Sequence, residues 1–176
     1  MARWRVRSGF LVGLAVLLLA RPSPESLLLG LPLALLGEAI RLWAAGHIDK
    51  TRVLATGGPY AHTRNPLYLG SLCMGLGVAT ASASPWAVSL AAAYFVIFYP
   101  VVIRQEAAFL RSKFPEQYAA WAAEVPAFLP RLTPGGPRES NFAWSRLHGN
   151  RELRTALAIP VVFALLYGWS LYRPLL

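Results

Sequence analysis

Five apolar segments, separated by polar or proline-rich stretches of different lengths, constrain this chain more than any other feature of its sequence. Hydrophobic residues make up 56% of the chain and charged ones only 14%, a surplus that a water-soluble domain could not cover with polar surface. A bilayer removes the difficulty, because a helix of about 20 apolar residues crosses its hydrocarbon core. We therefore predict an all-α integral membrane protein with about five transmembrane helices. The segments are residues 9–20, 26–46, 66–83, 86–103 and 155–172.

Proline-containing turns between these segments predict that the helices are arranged as hairpins. Pro22-Ser23-Pro24 separates the first helix from the second, and Ser82-Ala83-Ser84-Pro85 separates the third from the fourth. Proline fixes its own φ and favours turns or the start of a helix. After the fourth helix, residues 104–124 read as an amphipathic helix or helix pair. We treat residues 1–176 as one membrane domain, with an N-terminal hairpin (1–46), a core (47–132) and a C-terminal extension with the last helix (133–176).

Small and charged residues inside the predicted helices indicate how the helices pack. Gly70, Gly75 and Gly77 permit the close backbone approach that stabilises helix pairs in lipid, and we predict a contact with the fourth helix. In the second helix, Glu38 and Arg41 are three residues apart and so share a face. We interpret Glu38 as the partner of Arg41 in a structural ion pair and leave a functional role for Arg41 open.

The basic residues are distributed unevenly between the two predicted sides of the membrane. With five helices, all 17 lysines and arginines except Arg21, Arg41 and Arg173 fall on the side of the N-terminus, the 47–66 connector and residues 104–155. The positive-inside rule places that side in the cytoplasm, at the inner membrane if the source is bacterial. We attribute the net charge of +9 to contact with anionic lipid at the membrane surface. We therefore predict no nucleic-acid partner.

The densest polar cluster precedes the third helix and reads Gly-Gly-Pro-Tyr-Ala-His-Thr-Arg-Asn-Pro-Leu-Tyr-Leu-Gly over residues 57–70. The sequence Gly57-Gly58-Pro59 is typical of a turn, and Asn65-Pro66 suits the first turn of a helix. Arg64 lies at a helix entrance whose free N–H groups favour an anion. The residues by themselves leave two interpretations open: a ligand site, or an interface loop in which Arg and Tyr anchor to lipid headgroups.

A second cluster comes one helical hairpin later, and the two together resemble a known signature. It comprises Glu106-Ala107-Ala108-Phe109-Leu110, Phe114-Pro115-Glu116-Gln117-Tyr118 and the closing Val125-Pro126-x-Phe128-x-Pro130. In this order and spacing the motifs resemble the isoprenylcysteine carboxyl methyltransferase family and its phospholipid methyltransferase relatives, over roughly residues 30–132. Two positions depart from the family's pattern: Asn65 replaces a commoner His, and Ala107 replaces a second Glu.

The resemblance implies an enzyme that uses S-adenosylmethionine as cofactor. Arg64 could hold the cofactor carboxylate with its planar fork of donors, and Glu106 could take the ammonium or the ribose hydroxyls. We predict Arg64 and Glu106 as catalytic residues, Arg41, Phe109 and Tyr118 as substrate-binding residues, and no metal site. The predicted cofactor-binding residues are Tyr60, His62, Arg64, Asn65, Pro66, Tyr68, Gly70 and Glu106.

Three functions remain open from the sequence. The first is methyl transfer to a lipophilic small molecule or lipid, which would meet the cytosolic cofactor at the membrane interface. The second is NADPH-dependent reduction, since sterol and steroid reductases place a similar polar ending on helical hairpins. The third is a non-catalytic membrane protein, which the loss of the second Glu at Ala107 favours. The methyl acceptor and the oligomeric state are not determined.

Overall fold

The computed structural model describes residues 2–49, 53–137, 139–150 and 152–172, with only the backbone described for residues 2–8 and 10. Within these residues the chain is all-helical, as predicted, and contains no strand. A short 3₁₀ helix, Gly58–Ala61, lies between the second and third α-helices. The α-helices are α1 (Ala2–Leu19), α2 (Pro24–His47), α3 (Pro66–Ala81), α4 (Pro85–Lys113), α5 (Pro115–Glu124), α6 (Trp144–Gly149), α7 (Glu152–Ala156) and α8 (Ala158–Tyr172).

Helix α1 begins at Ala2, before the predicted apolar segment of residues 9–20, and two other helix boundaries differ from the prediction for identifiable reasons. We expected a helix to end near residue 103, but α4 runs on to Lys113, because no glycine or proline interrupts residues 101–113 and Pro115 is the next residue suited to start a helix. In contrast, α3 ends at Ala81, before Ala83, whose φ of +48° lies in the left-handed region that ends helices.

Among the described residues, three helical stretches are long and apolar enough to cross a membrane: Pro24–His47, Pro85–Lys113 and Glu152–Tyr172. Helix α3 is also apolar but shorter. The predicted count of five spans and the cytoplasmic orientation remain predictions. Several of the basic side chains on which the orientation depends lie outside the described residues, namely those of Arg3, Arg5, Arg7, Lys50, Arg52, Arg138 and Arg151.

The chain divides into two compact units: unit 1 is residues 1–36, 72–100 and 157–176, and unit 2 is residues 37–71 and 101–156. In unit 1 the buried core joins α2, α3 and α8 through small and large apolar residues, among them Ala34, Ala81, Phe163 and Leu166. Ser26 at the start of α2 donates its hydroxyl to the carbonyl of Ala81, 2.9 Å away, which satisfies one of the free carbonyls at the end of α3. The predicted domain division is not tested by these units.

Glycines of α3 contact two different neighbours. A Cβ added at Gly75 would lie 2.6 Å from Cε2 of Phe95 in α4, so the predicted contact between the third and fourth helices is confirmed at this position. Gly77 instead faces α2, where a Cβ would lie 2.5 Å from the backbone nitrogen of Ala34 and 2.7 Å from the carbonyl oxygen of Gly30. Close approach of backbones at such positions increases the van der Waals contact that holds helices together in lipid.

Unit 2 has its own core, formed where α5 packs on the end of α2 and on the 53–61 region. Its most deeply buried large side chain is Trp121, 1% exposed, which packs with Leu54, Tyr60 and Tyr118. The indole Nε1 of Trp121 donates a hydrogen bond of 2.9 Å to the carbonyl of Tyr60. This bond fixes the 3₁₀ helix against α5 and so determines where the polar cluster of residues 57–70 lies.

Candidate functional site

A cavity of about 370 Å³ lies within unit 2, a volume in the usual range for small-molecule sites. Two stretches of chain form most of its wall: the connector after α2, of which residues 48–49 and 53–60 are described, and the last turns of α4. The lining combines four charged side chains, two of each sign, with aromatic and aliphatic ones. The lining residues are Ile48, Asp49, Val53, Leu54, Ala55, Tyr60, Arg64, Leu67, Glu106, Phe109, Leu110, Lys113, Phe114 and Trp121.

Arg64 enters this cavity from the loop that precedes α3. Its backbone N–H donates to the carbonyl of Pro126 at 2.9 Å, and its Nη1 donates to the hydroxyl of Tyr118 at 3.0 Å. The guanidinium carbon also lies 5.8 Å from the centre of the Tyr118 ring, which is within cation–π range. The Nε atom, however, is buried and has no hydrogen-bond acceptor among the described residues. Arg64 is thus held in place while one strong donor is left unsatisfied, a condition that calls for a partner.

Glu106 reaches the same cavity from α4, as the sequence predicted for a residue one hairpin away from Arg64. Its Oε2 accepts a hydrogen bond of 2.6 Å from the hydroxyl of Tyr68 in α3. Arg64 and Glu106 do not form an ion pair with each other: the side-chain pairs within 4.0 Å among the described residues are Arg41–Glu152 and Arg146–Asp49. The two predicted catalytic residues therefore line one cavity without neutralising each other.

Tyr60 contributes a deeply buried phenol to the wall, with 7% of the residue exposed. Burial, and then the negative charge of Glu106, raise the pKa of Tyr60 well above its usual value. The hydroxyl consequently stays neutral at physiological pH and can act as a hydrogen-bond donor. The ring stacks obliquely on Trp121 at a centroid distance of 6.5 Å, so its position depends on the core of unit 2.

Five predicted cofactor residues are absent from the cavity lining: Tyr68, which binds Glu106, and four others that hold the loop or the start of α3 in place. The Nδ1 of His62 lies 2.9 Å from the carbonyl of Arg131, and the side-chain amide of Asn65 donates to the carbonyl of Ala127 at 2.7 Å. Pro66 is buried at the first position of α3. A Cβ at Gly70 would lie 2.6 Å from the carbonyl oxygen of Gly37, so this glycine allows α3 to approach α2. Direct contact of these five with a cofactor stays a prediction.

The predicted substrate residues lie in three different environments. Phe109 lines the cavity and is 58% exposed. Tyr118 is 3% exposed, and its hydroxyl accepts a hydrogen bond from Arg64. Arg41 lies elsewhere in unit 2, where its Nε and Nη2 bind Oε1 of Glu152 at 2.7 and 2.6 Å. Its Nη1 donates to the hydroxyl of Ser71 and the carbonyl of Leu67. Substrate binding by these residues stays a prediction.

The ion pair that we predicted between Glu38 and Arg41 is wrong. Arg41 is engaged by Glu152, which is 111 positions further along the chain. Both carboxylate oxygens of Glu38 are buried and have no hydrogen-bond partner in the part of the chain that the structure describes. Residues three apart on a helix share a face, but their side chains need not meet when a tertiary partner offers better geometry. No local pattern in the sequence indicates Glu152 as that partner.

Sequence reasoning missed several residues of the cavity wall. Asp49 and Lys113 add one charge of each sign, and Phe114 and Trp121 add aromatic surface. The ammonium of Lys113 lies 5.4 Å from the centre of the Phe114 ring. A signal was available for the two aromatic residues, since they belong to the aromatic pattern of residues 109–121; Asp49 and Lys113 looked like ordinary interfacial charges.

Comparison with known protein families gives a match. The model of the family described as phospholipid methyltransferase matches residues 26–117, a range that holds Arg64, Tyr68 and Glu106. The match covers more than half of the chain and confirms the resemblance found from the two motifs.

Two curated relatives are similar over the larger part of this chain. The cobalt-zinc-cadmium resistance protein CzcN of Cupriavidus metallidurans is 44% identical over 115 residues, which are 63% of this chain and 52% of that protein. The nickel-cobalt-cadmium resistance protein NccN of Alcaligenes xylosoxydans xylosoxydans is 37% identical over 108 residues, 60% of this chain and 49% of that protein. The matched region thus spans about half the length of these relatives. No solved structure matches the chain.

Proposed function

Because this chain belongs to the phospholipid methyltransferase family, we propose that it is a membrane enzyme that transfers a methyl group from S-adenosylmethionine to a lipophilic small molecule or lipid. The proposed cofactor site is the cavity of unit 2. One observation carries the proposal above the others: Arg64 and Glu106, of opposite charge, line one cavity and, among the ion pairs of the described residues, do not pair with each other.

The residues of the cavity fit the chemical groups of this cofactor. Its carboxylate would accept hydrogen bonds from the guanidinium of Arg64, which lines the cavity. Its ammonium or ribose hydroxyls would bind the exposed carboxylate of Glu106, which Tyr68 orients. The partly exposed aromatic surface of Phe114 suits the adenine ring. When bound, S-adenosylmethionine supplies an electrophilic methyl group on its sulfonium.

The remaining part of the wall suits an acceptor that arrives from the bilayer. Phe109 is both cavity-lining and 58% exposed, and it lies on α4, one of the helices long and apolar enough to cross a membrane. An acceptor bound there would be held by apolar contact, and methyl transfer would then depend mainly on positioning the nucleophile in line with the methyl carbon. We place this site at the cytoplasmic interface, on the strength of the charge distribution.

The test is the binding of S-adenosylhomocysteine to detergent-purified variants by isothermal titration calorimetry. Arg64→Ala and Glu106→Gln are each expected to weaken binding by roughly ten- to a hundredfold, since each removes a charge-assisted hydrogen bond of about 1.5–3 kcal/mol. Arg111→Ala is the matched control for the first variant, because Arg111 also lies over the Tyr118 ring, at 5.5 Å, and does not line the cavity. Glu116→Gln is the control for the second.

Unchanged affinity in both site variants would remove the reason for placing the cofactor in this cavity. NADPH would then be titrated in its place, which tests the reductase alternative. Binding of neither cofactor by the purified wild-type protein would favour the non-catalytic alternative.

The names of the two relatives favour an addition to this proposal: that the methyl transfer supports resistance to divalent metal cations. The 44% identity to CzcN motivates it. Among the described residues there is no group of three or more His, Cys, Asp or Glu side chains that could hold a metal ion, so we propose that any such role passes through the methylated product. Expression of the wild-type chain in a metal-sensitive bacterium should raise its tolerance of cadmium, and Arg64→Ala should abolish the gain.

A further inference from the structure

A segment beyond the family-matched residues packs on the connector that forms one wall of the cavity. We call residues 139–150 the latch segment. At the start of the connector, the side-chain amide of Asn150 donates to the carbonyls of Ala45 and Ile48, at 2.8 and 3.2 Å. Ala45 belongs to the last turn of α2, where its carbonyl also accepts from the backbone N–H of Ile48 at 3.3 Å, and Ile48 directly follows the helix. The guanidinium of Arg146 lies 3.6 Å from the carboxylate of Asp49.

The latch segment also holds the far end of the connector. The backbone N–H of Gly57 donates to the hydroxyl of Ser140 at 2.9 Å, and this bond is buried. The backbone N–H of Glu139 donates to the hydroxyl of Thr56 at 3.1 Å, and Thr56 is 1% exposed. Between these two anchored ends lie cavity-lining residues of the connector, with Leu54 only 3% exposed.

Two glycines leave the space into which side chains at the same segment pack. A Cβ added at Gly46 would lie 2.9 Å from Cζ of Phe142 and closer still to two other atoms of that ring. A side chain at this position would therefore collide with Phe142. Gly58, with a φ of +57°, faces the ring of His47, and that ring packs edge-on against Phe142 at 5.8 Å. The absence of side chains at these glycines is therefore explained by the packing of His47 and Phe142.

We propose that the latch segment positions the connector wall of the cavity, and that Asn150 and Ser140 are positioning residues for the cofactor. The inference rests on the proposed function. Asn150 would hold the wall through the carbonyl of Ile48, and Ser140 would hold it through the backbone N–H of Gly57. Neither side chain would contact the cofactor itself. Without these bonds the wall would fluctuate, and the cofactor would have to order it on binding, which lowers affinity.

The experiment uses the full chain in detergent, with S-adenosylhomocysteine as the probe. Asn150→Asp keeps the shape of the side chain and removes its N–H donors, and Ser140→Ala removes the hydroxyl. We expect each to raise the Kd by roughly three- to tenfold, as for the loss of one or two neutral hydrogen bonds, with binding stoichiometry unchanged. A purely structural role would lower the stoichiometry, by reducing the folded fraction, and leave the Kd of the folded protein as it was. Asn141→Ala is the matched control, because Asn141 lies in the same segment with an exposed side chain.

A second measurement does not depend on the cofactor. In a Cys73→Ala background, a cysteine introduced at Leu54 should react slowly with a maleimide, and several-fold faster once Asn150→Asp is added. An unchanged Kd in Asn150→Asp and Ser140→Ala, or an unchanged labelling rate, would overturn the positioning role. If the wild-type protein does not bind S-adenosylhomocysteine and the labelling rate still rises, the proposed cofactor is wrong and the positioning of the wall stands.

Discussion

Glu38 and Glu152 provide a sharp test of how this fold treats buried charge. Both residues are 6% exposed, both belong to unit 2, and Arg41 is the basic residue near each of them. Glu152 binds Arg41 directly, whereas the carboxylate oxygens of Glu38 have no partner. Replacing each with glutamine preserves side-chain volume, so the two variants differ mainly in which charge is removed.

The expected magnitudes derive from these contacts. Removing one partner of a buried ion pair leaves an uncompensated charge and typically costs about 3–5 kcal/mol. Arg41 keeps the hydroxyl of Ser71 and the carbonyl of Leu67 as acceptors, so we expect Glu152→Gln to lower the free energy of unfolding by about 2–3 kcal/mol. Glu38→Gln removes a carboxyl that makes no hydrogen bond and should change the free energy of unfolding by less than about 1 kcal/mol.

Equilibrium unfolding by sodium dodecyl sulfate in mixed micelles measures both variants against the wild type. Tryptophan fluorescence is a suitable signal, since Trp121 in unit 2 is 1% exposed. Because Glu38 lies one helical turn from Arg41, it can take over part of the charge when Glu152 is lost. The double variant should therefore lose more than the sum of the single losses, by about 0.5–3 kcal/mol. A Glu38→Gln variant that loses as much stability as Glu152→Gln would refute this account.

Three further predictions concern the helices. In a Cys73→Ala background, a cysteine at His62 should be labelled from the cytoplasm and one at the exposed Ala83 from the opposite side. Cytoplasmic labelling at Ala83 would overturn the orientation. Gly77→Leu should lower the thermal unfolding midpoint in detergent, because a Cβ there meets the backbone of α2; an unchanged midpoint would show that the two helices do not need this contact. Ala83→Gly should stabilise the protein by about 0.5–1 kcal/mol, since Ala83 is exposed and has a φ of +48°, and a loss of stability in the same melt would contradict the strain argument.

The helices were predictable because their causes are local. Apolar length and the prolines and glycines between the segments located α2, α3 and α8 to within a few residues, and α4 was misjudged only at its end. There the change from apolar to charged residues near position 103 indicated a boundary, but the helix continues to Lys113 because no helix-breaking residue intervenes.

The candidate site was predictable to the extent that its motif is a local pattern with a fixed spacing. Arg64 and Glu106 were expected to converge because two helices of similar length return the chain to its starting side, and both do line one cavity. His62 and Asn65 belong to the same motif, but their side chains bond the 127–131 loop. A motif identifies residues that matter without separating those that line a cavity from those that hold the loop.

The sequence by itself determined the all-helical class, the approximate helix positions and the family, because apolar periodicity, turn residues and motif spacing are properties of neighbouring residues. Only the tertiary structure decided the partners of the buried polar groups. Arg41 binds Glu152 and not Glu38, and Gly57 bonds Ser140 across 83 positions. Such choices depend on which groups the fold brings within hydrogen-bond distance, and that distance is set by the packing of elements far apart in the chain.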